Sequence, residues 1–302
     1  MIAPGTRARV STPATSANLG PGVDALGLAL DIRDDYEVVV ADGDDVLGTT
    51  IGQSATDLPT GPDHLVARSL LIGLERLGGP AQGFSLTCHN RIPQSRGMGS
   101  SAAAIVGGVA LAGALLGITV ADVLIEIATD IEGHPDNVAA AVLGGATISW
   151  LTDGGAQAMG LPVLPGITPV LFVPETTSPT AAARAALPDL VPHADAAFNA
   201  GRSALLVAAL TQDPSLLLAA TEDRLHQNQR RAGYAASWDL VAQFRAGGTA
   251  AAISGAGPTV LVLTATPEEA DEVARQPVTG FTATLTRVGT GVSATLDPPS
   301  LS

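Results

Sequence analysis

The sequence predicts an α+β protein built from two units, on three observations. Helix-like and strand-like stretches are interleaved without the regular alternation of a parallel α/β sheet. Apolar residues make up 46% of the 302 and support a large core, yet aromatics are only 3%, so alanine, valine and leucine must fill it. The segment LPVLPGITPVLFVPE, starting at Leu161, carries four prolines and shifts from helix to strand character. It places a boundary near residue 162 and divides the chain into 1–162 and 163–302.

In the first unit ARVSTPAT (8–15), DDYEVVVA (34–41) and GFSLTCHN (83–90) lie between Gly, Pro and Asp turns and read as strands. Between the last two, DHLVARSLLIGLERLG (63–78) has helical apolar spacing. Helices are expected over 102–116 and 119–129, and HPDNVAAAVLGGATISW reads as a helix from Asn137 running into a strand. In the second unit ITPVLFVP (167–174) is a strand, followed by helices over 180–187, 195–210, 214–223 and 238–247. AAISGAGPTVLVLT (251–264) reads as one strand-like run holding a glycine turn, PEEADEVARQ as a helix and TATLTRVG (282–289) as the closing strand. The short termini read as disordered.

Charge narrows the partners. The formal net charge is −14, the sequence pI is near 4.5 and there is no basic block, which argues against nucleic acid or an anionic membrane and for a small ligand. The single cysteine, Cys88, permits no internal disulfide and fits a reducing compartment. MIAPGTRARVSTPATSANLG has no apolar run of signal-peptide type, and the apolar stretch 102–118 is broken by glycines, so it reads as a core helix. A cytoplasmic location is the expectation. All 15 basic residues are arginines, which excludes any mechanism resting on a lysine.

PQSRGMGSSAAAIVGG (93–108) is the most informative stretch. Gly97 and Gly99 have no Cβ, so backbone amides there can turn toward a bound group. Ser100 and Ser101 suit a helix start, and the unpaired amides and positive dipole end of the alanine-rich helix behind them make an anion site. Neither a Walker A lysine nor a dinucleotide fingerprint is present. By itself such a loop is also an ordinary entry into a buried helix.

Two more stretches need the same explanation. PATSANLGPGVDALGLAL (13–30) sets Ser16, Asn18 and Asp24 around a Gly20-Pro21-Gly22 turn, and AAISGAGPTVLVL (251–263) supplies a second glycine turn. Together with the serine-glycine loop they resemble the three motifs of the GHMP kinases, over most of the chain. Within that family the first motif, and EGHPDNVAAAVLGG (132–145), look like homoserine kinases, with Val23 where phenylalanine is usual. The resemblance implies a two-domain GHMP kinase fold. Its N-terminal, ATP-binding half is of the ribosomal protein S5 domain 2-like type and its C-terminal half is ferredoxin-like.

It also implies a site. ATP would be cradled by Pro93, Gln94, Ser95, Arg96, Gly97, Met98, Gly99, Ser100, Ser101, Ala102 and Ala103. Magnesium would be held by Ser100 or Ser101 with Glu126, two helical turns before His134, and Glu132 is the alternative carboxylate. L-Homoserine would meet Asn18, Asp24, His134, Arg184 and Arg230, with Asn137 and Thr180 completing the catalytic set and Arg231 the alternative to Arg230. Two guanidinium forks match an α-carboxylate, and Asp24 its ammonium. The implied reaction is ATP-dependent phosphorylation of the homoserine side-chain hydroxyl, the kinase step toward threonine, by a homodimer. Phosphoryl transfer asks mainly for positioning and charge neutralisation, so a strong base is not obligatory, and His134 is the one candidate that titrates near neutrality. Another GHMP small-molecule kinase and a catalytically silent member of the fold are the competing readings.

Overall fold

A computed structural model describes residues 2–177 and 180–297. Its first sheet has seven strands. β1 (Arg7–Asn18) and β2 (Gly22–Val40) form a long antiparallel hairpin that closes at Asn18 opposite Gly22. β2 is long enough to hold two partners on one edge. Its second half pairs with β4 (Phe84–Asn90) and its first half with β5 (Ala146–Thr152). β3 (Val46–Gly52) runs parallel to β4, and β6 (Gly155–Leu161) extends β5.

Four helices pack against this sheet: α1 (Leu65–Arg76), α2 (Ser100–Leu116), α3 (Ala121–Glu132) and α4 (Pro135–Leu143). α2 is buried nearly all round, as expected of a helix apolar on every face. Its glycines make that possible. A Cβ on Gly107 would overlap the Tyr36 ring, and one on Gly108 would overlap the Val66 carbonyl of α1. Cys88 packs in β4, and burial pushes its thiol up to about 12. Among the described residues no helix is long and apolar enough to cross a membrane.

The second sheet is antiparallel, in the order β10 (Phe281–Leu285), β7 (Thr168–Pro174), β9 (Val260–Thr264), β8 (Ala250–Ile253). Around it lie α5 (Thr180–Ala185), α6 (His193–Thr211), α7 (Leu217–Ala220), α8 (Ala235–Ala246) and α9 (Pro267–Ala274). Phe172 of β7 meets Phe244 of α8 with ring centroids 5.0 Å apart. A further apolar cluster crosses from one unit to the other, joining Leu28, Leu30 and Met98 to Leu171, Leu206 and Leu261. The cleft above this cluster is therefore held by packing.

Several elements differ from expectation. β2 begins twelve residues before DDYEVVVA, because its stretch Leu26–Leu30 is buried on both faces and so lacks alternation. The run 251–264 is two strands, β8 and β9, with residues 254–259 looping out between them. The helix expected over 214–223 is a 3₁₀ turn (Pro214–Leu216) and one turn of α7. The last described strand, β11 (Ser293–Asp297), falls within the stretch assigned to the second unit, yet it pairs with β1 in the first sheet. Its residues are all exposed, so no apolar pattern marks them.

Two glycine substitutions separate packing from propensity. Gly108→Ala adds a good helix former but drives its methyl into Val66 backbone, and it is expected to lower Tm by several degrees in a calorimetric scan. Gly201→Ala, within α6 where a Cβ meets nothing, is instead expected to stabilise by about 0.5–1 kcal/mol.

Candidate active site

A cavity of about 140 Å³ lies where the three glycine turns meet. Asn18 and Asp24 reach it from the β1–β2 hairpin, Ser95 and Gly97 to Ser101 from the loop into α2, and Gly255 and Ala256 from the β8–β9 turn. The backbone here is unusual. Asn18, Asp24 and Ser95 all adopt positive φ, at 67°, 54° and 54°, a region costly for side chains with a Cβ and concentrated at functional sites. Close approach explains two glycines as well. A Cβ on Gly99 would overlap the Thr15 hydroxyl, and one on Gly97 would overlap the Ser254 carbonyl.

The three turns are stitched together through the backbone. Asn18 Nδ2 donates to the Gly255 carbonyl (3.0 Å), and the Gly255 amide to that of Ala17 (3.0 Å). The Ser254 hydroxyl lies 2.6 Å from the Gly97 carbonyl and 2.9 Å from the Ser16 hydroxyl. Asn18 Oδ1 accepts from the Asp24 amide (3.1 Å), which fixes where the Asp24 carboxylate emerges.

The floor is the start of α2. Gly99 is its N-cap in left-handed conformation, with no side-chain cap and no acidic residue in the first turn. In a chain of net charge −14, that leaves the positive end of a buried helix uncapped by any side chain. Ser100 and Ser101 stand beside it on the cavity wall.

The carboxylate beside this helix end is Glu132. It accepts from the Ser101 hydroxyl at 2.8 Å, and burial pushes its pKa up. Glu126, the expected metal ligand, is half exposed and 3.3 Å from Arg76, away from the cavity. The placement has a structural reason. α3 ends at Glu132, Gly133 reverses the chain at φ 90°, and His134 immediately caps α4. The residue before that reversal abuts α2, while Glu126 projects outward beside Asp130, which Arg76 also meets (2.9 Å).

His134, Asp136 and Asn137 form a chain along the same wall. Asp136 Oδ1 accepts from the Asn137 amide (2.7 Å) and lies 2.8 Å from His134 Nδ1. An ionised carboxylate only accepts, so Nδ1 carries the proton and Nε2 faces Glu132 at 3.9 Å. The hydrogen bond to Asp136 raises the His134 pKa above its ordinary value. Thr15 donates its hydroxyl to Asn137 Oδ1 (2.8 Å).

Opposite them are the charges. Asp24 and Arg184 face each other as a bidentate pair, Nη2–Oδ1 2.8 Å and Nη1–Oδ2 3.4 Å, with both side chains nearly half exposed. Arg230 is 4% exposed, lines the cavity and has its pKa lowered by burial and by the nearby Arg184. Of the two adjacent arginines it is the one turned inward, since Arg231 is exposed and 3.7 Å from Asp239.

The remaining expected contacts divide. Gln94 lines a second cavity of about 190 Å³ that shares Ser95, Ser100 and Ser101 with the first and is walled by Tyr36, Leu58 and His64. Arg96 points elsewhere, donating to the Gln94, Pro174 and Glu175 carbonyls at 3.1, 3.0 and 2.9 Å, so it ties the loop to the end of β7 rather than reaching a ligand. Pro93 lines neither cavity, and Ala102 and Ala103 are fully buried beneath the loop. Thr180 opens α5, and its side chain lies outside the described residues. Asp136, Gly255 and Ala256 line the site too, although the sequence offered them only as parts of motifs and not as site residues. For Asp136 the signal was its position two residues from His134.

Comparison with known proteins shows the family. Residues 64–145 match the GHMP kinases N terminal domain and residues 205–279 the GHMP kinases C terminal domain. The chain is 51% identical to the homoserine kinase of Streptomyces avermitilis, over 94% of each sequence, and 44% identical to that of Mycobacterium tuberculosis, over 97% of this chain and 95% of its relative. The crystal structure of homoserine kinase from Cytophaga hutchinsonii superimposes with a TM-score of 0.86 at 27% identity, covering 95% of this chain and 97% of that one. A site made by three glycine turns, on this fold and at this identity, places the chain in the homoserine kinase family of the GHMP kinases.

Proposed function

We propose that the chain transfers the γ-phosphoryl group of ATP to the side-chain hydroxyl of L-homoserine, with the nucleotide phosphates on the N-terminus of α2 and the amino acid between Asp24 and the two arginines. The observation that carries this is the meeting, in one cavity, of an uncapped helix end with a separate cluster of opposite charges. Phosphate needs the first and a zwitterion the second.

The second cavity suits the nucleoside. It adjoins the helix end, offers apolar walls, and among the described residues holds two buried polar atoms without a partner, Asn90 Oδ1 and His64 Nδ1. A base edge supplies groups of the kind such atoms need. On the amino-acid side, the Asp24–Arg184 pair is nearly half exposed, so its own contribution to stability is small and exchanging it for two substrate charges costs little. Arg230 is desolvated and lies near a second guanidinium, an arrangement that an incoming carboxylate relieves. Asn18 and Thr180 complete the contacts in this reading.

Magnesium fits the donors present. A hard cation that keeps most of its shell on phosphate and water asks for one or two protein oxygens, and Glu132 with Ser100 or Ser101 offers them at the helix end. Bound there, it would neutralise charge on the phosphates. The homoserine oxygen attacks phosphorus in line, the new O–P bond forms as the bond to the ADP oxygen breaks, and the hydroxyl proton leaves. Neutral His134 has Nε2 free of the Asp136 bond and is the acceptor available on that wall. The reading extends to a homodimer in the cytoplasm, on the strength of the family resemblance.

A coupled ADP-release assay across homoserine, mevalonate, shikimate and galactose tests the substrate. Turnover of homoserine alone is expected, and a preference for another alcohol or no turnover at all would replace the reading with one of its rivals.

Arg230→Leu should lose about 2–5 kcal/mol in kcat/KM for homoserine, as for one partner removed from a desolvated charge pair. Arg184→Leu should lose less, on the order of 1 kcal/mol, because its surroundings are wetter. ATP binding by calorimetry is expected to be unchanged in both, and equal losses for the two substrates would contradict the carboxylate clamp.

Glu132→Gln should sharply weaken activation by magnesium while Glu126→Gln leaves it unaltered. Glu132 also makes a stability prediction. Its folded pKa lies above the unfolded value near 4.5, so the stability it contributes is present below that value and is lost as pH rises through the folded one. Glu132→Gln therefore melts above wild type at neutral pH, and the gap closes as the pH falls toward 4; a lower Tm for the variant at pH 7 would contradict burial of the charge.

A further inference from the structure

His226 lies outside the cavity, fully buried, in the turn between α7 and α8. That turn is held by Asp223, whose carboxylate accepts from the amides of Leu225, His226 and Gln227. The imidazole joins Arg230, on the cavity wall, to the turn between Asn18 and Asp24. Nε2 is 2.7 Å from the Gly20 carbonyl, and Nδ1 is 3.1 Å from Arg230 Nη1.

Hydrogen-bond chemistry decides its form. A guanidinium only donates, so Nδ1 must accept, and the one proton of a neutral ring then sits on Nε2 and points at Gly20. A protonated ring would aim an N–H at the arginine. Burial lowers the His226 pKa in the same direction, against the Asp223 oxygen 3.7 Å from Nε2.

Both neighbours matter to recognition. Gly20 lies two residues from Asn18 and four from Asp24, in the turn that docks on Thr221 of the second unit, where a Cβ would come within 2.5 Å of the Thr221 carbonyl. Arg230 is anchored among the described residues by two hydrogen bonds, Nε to the Ala183 carbonyl (2.9 Å) and Nη1 to His226. A planar fork is fixed by two such points, so removing one lets the plane turn.

We propose that His226 is a positioning residue for the amino-acid substrate, setting the plane of the Arg230 guanidinium while tying it to the Gly20 turn. The proposal rests on the reading that Arg230 binds the substrate carboxylate. It acts on homoserine and leaves ATP untouched.

Steady-state kinetics of the full-length enzyme test this with two near-isosteric variants. His226→Asn keeps an acceptor where Nδ1 was and loses the donor toward Gly20, whereas His226→Gln keeps a donor near Nε2 and loses the acceptor toward Arg230. His226→Gln should raise KM for homoserine about tenfold, the worth of one hydrogen bond to a charged group, with KM for ATP unchanged. His226→Asn should stay within about threefold of wild type. Equal effects of the two variants, the reverse order, no effect of either, or a parallel rise in KM for ATP would each overturn the proposal. Failure of both variants to fold, judged by thermal melting, would assign His226 a purely structural role and overturn it too. Arg230→Leu separates this from the reading beneath it. An unchanged homoserine KM in that variant overturns the clamp itself, while a raised KM there beside wild-type behaviour of His226→Gln overturns only the positioning role.

Discussion

The positive end of one buried helix, left without a capping side chain in an acidic protein, is the constraint on which the rest of the site depends. α2 is apolar on every side and locked against α1 and the first sheet by glycine contacts at 107 and 108, so it has no freedom to turn its N-terminus elsewhere. Its first-turn amides must then be satisfied at the cavity. The protein could have done so with an aspartate or serine cap. It places a left-handed glycine there instead, which keeps the helix end open to an anion brought from outside.

Opening that end demands rigidity around it. The three glycine turns come from distant parts of the chain, and each is held mainly by backbone groups of the others, as in the Asn18–Gly255, Gly255–Ala17 and Ser254–Gly97 contacts. Arg96, which looks like a phosphate ligand, spends its guanidinium on carbonyls and holds the loop to β7. Beneath them an apolar cluster welds the two units together. Positioning is most of what phosphoryl transfer asks of a protein, and this architecture is largely devoted to it.

The charges follow a division by burial. The Asp24–Arg184 pair is nearly half exposed, wet and easily parted. Arg230 is instead buried and held by a carbonyl and an imidazole. Glu132 is the costly member, a carboxylate kept in a low-dielectric wall against its preference. Such sites are where function outweighs stability.

The sequence by itself determined the parts that local chemistry dictates. The glycine-serine loop into an alanine helix reads as an anion site once the other two glycine motifs stand beside it, the absence of lysine removes whole classes of mechanism, and the motifs together identify the family. Asn18, Asp24, His134, Arg184 and Arg230 all reach one cavity or its rim, because their motifs are short and the turns that present them are local. What the tertiary structure decided is everything that hinges on where a chain reverses or what it packs on. The family resemblance points to Glu126 as the metal carboxylate, but the reversal at Gly133 sets Glu132 against the start of α2 and leaves Glu126 beside Arg76, and no periodicity contains a reversal. β11 has no buried face, so only its partner β1 makes it a strand. His226 and Gly20 are 206 positions apart, and a contact of that span exists only once two sheets have docked and buried the ring between them.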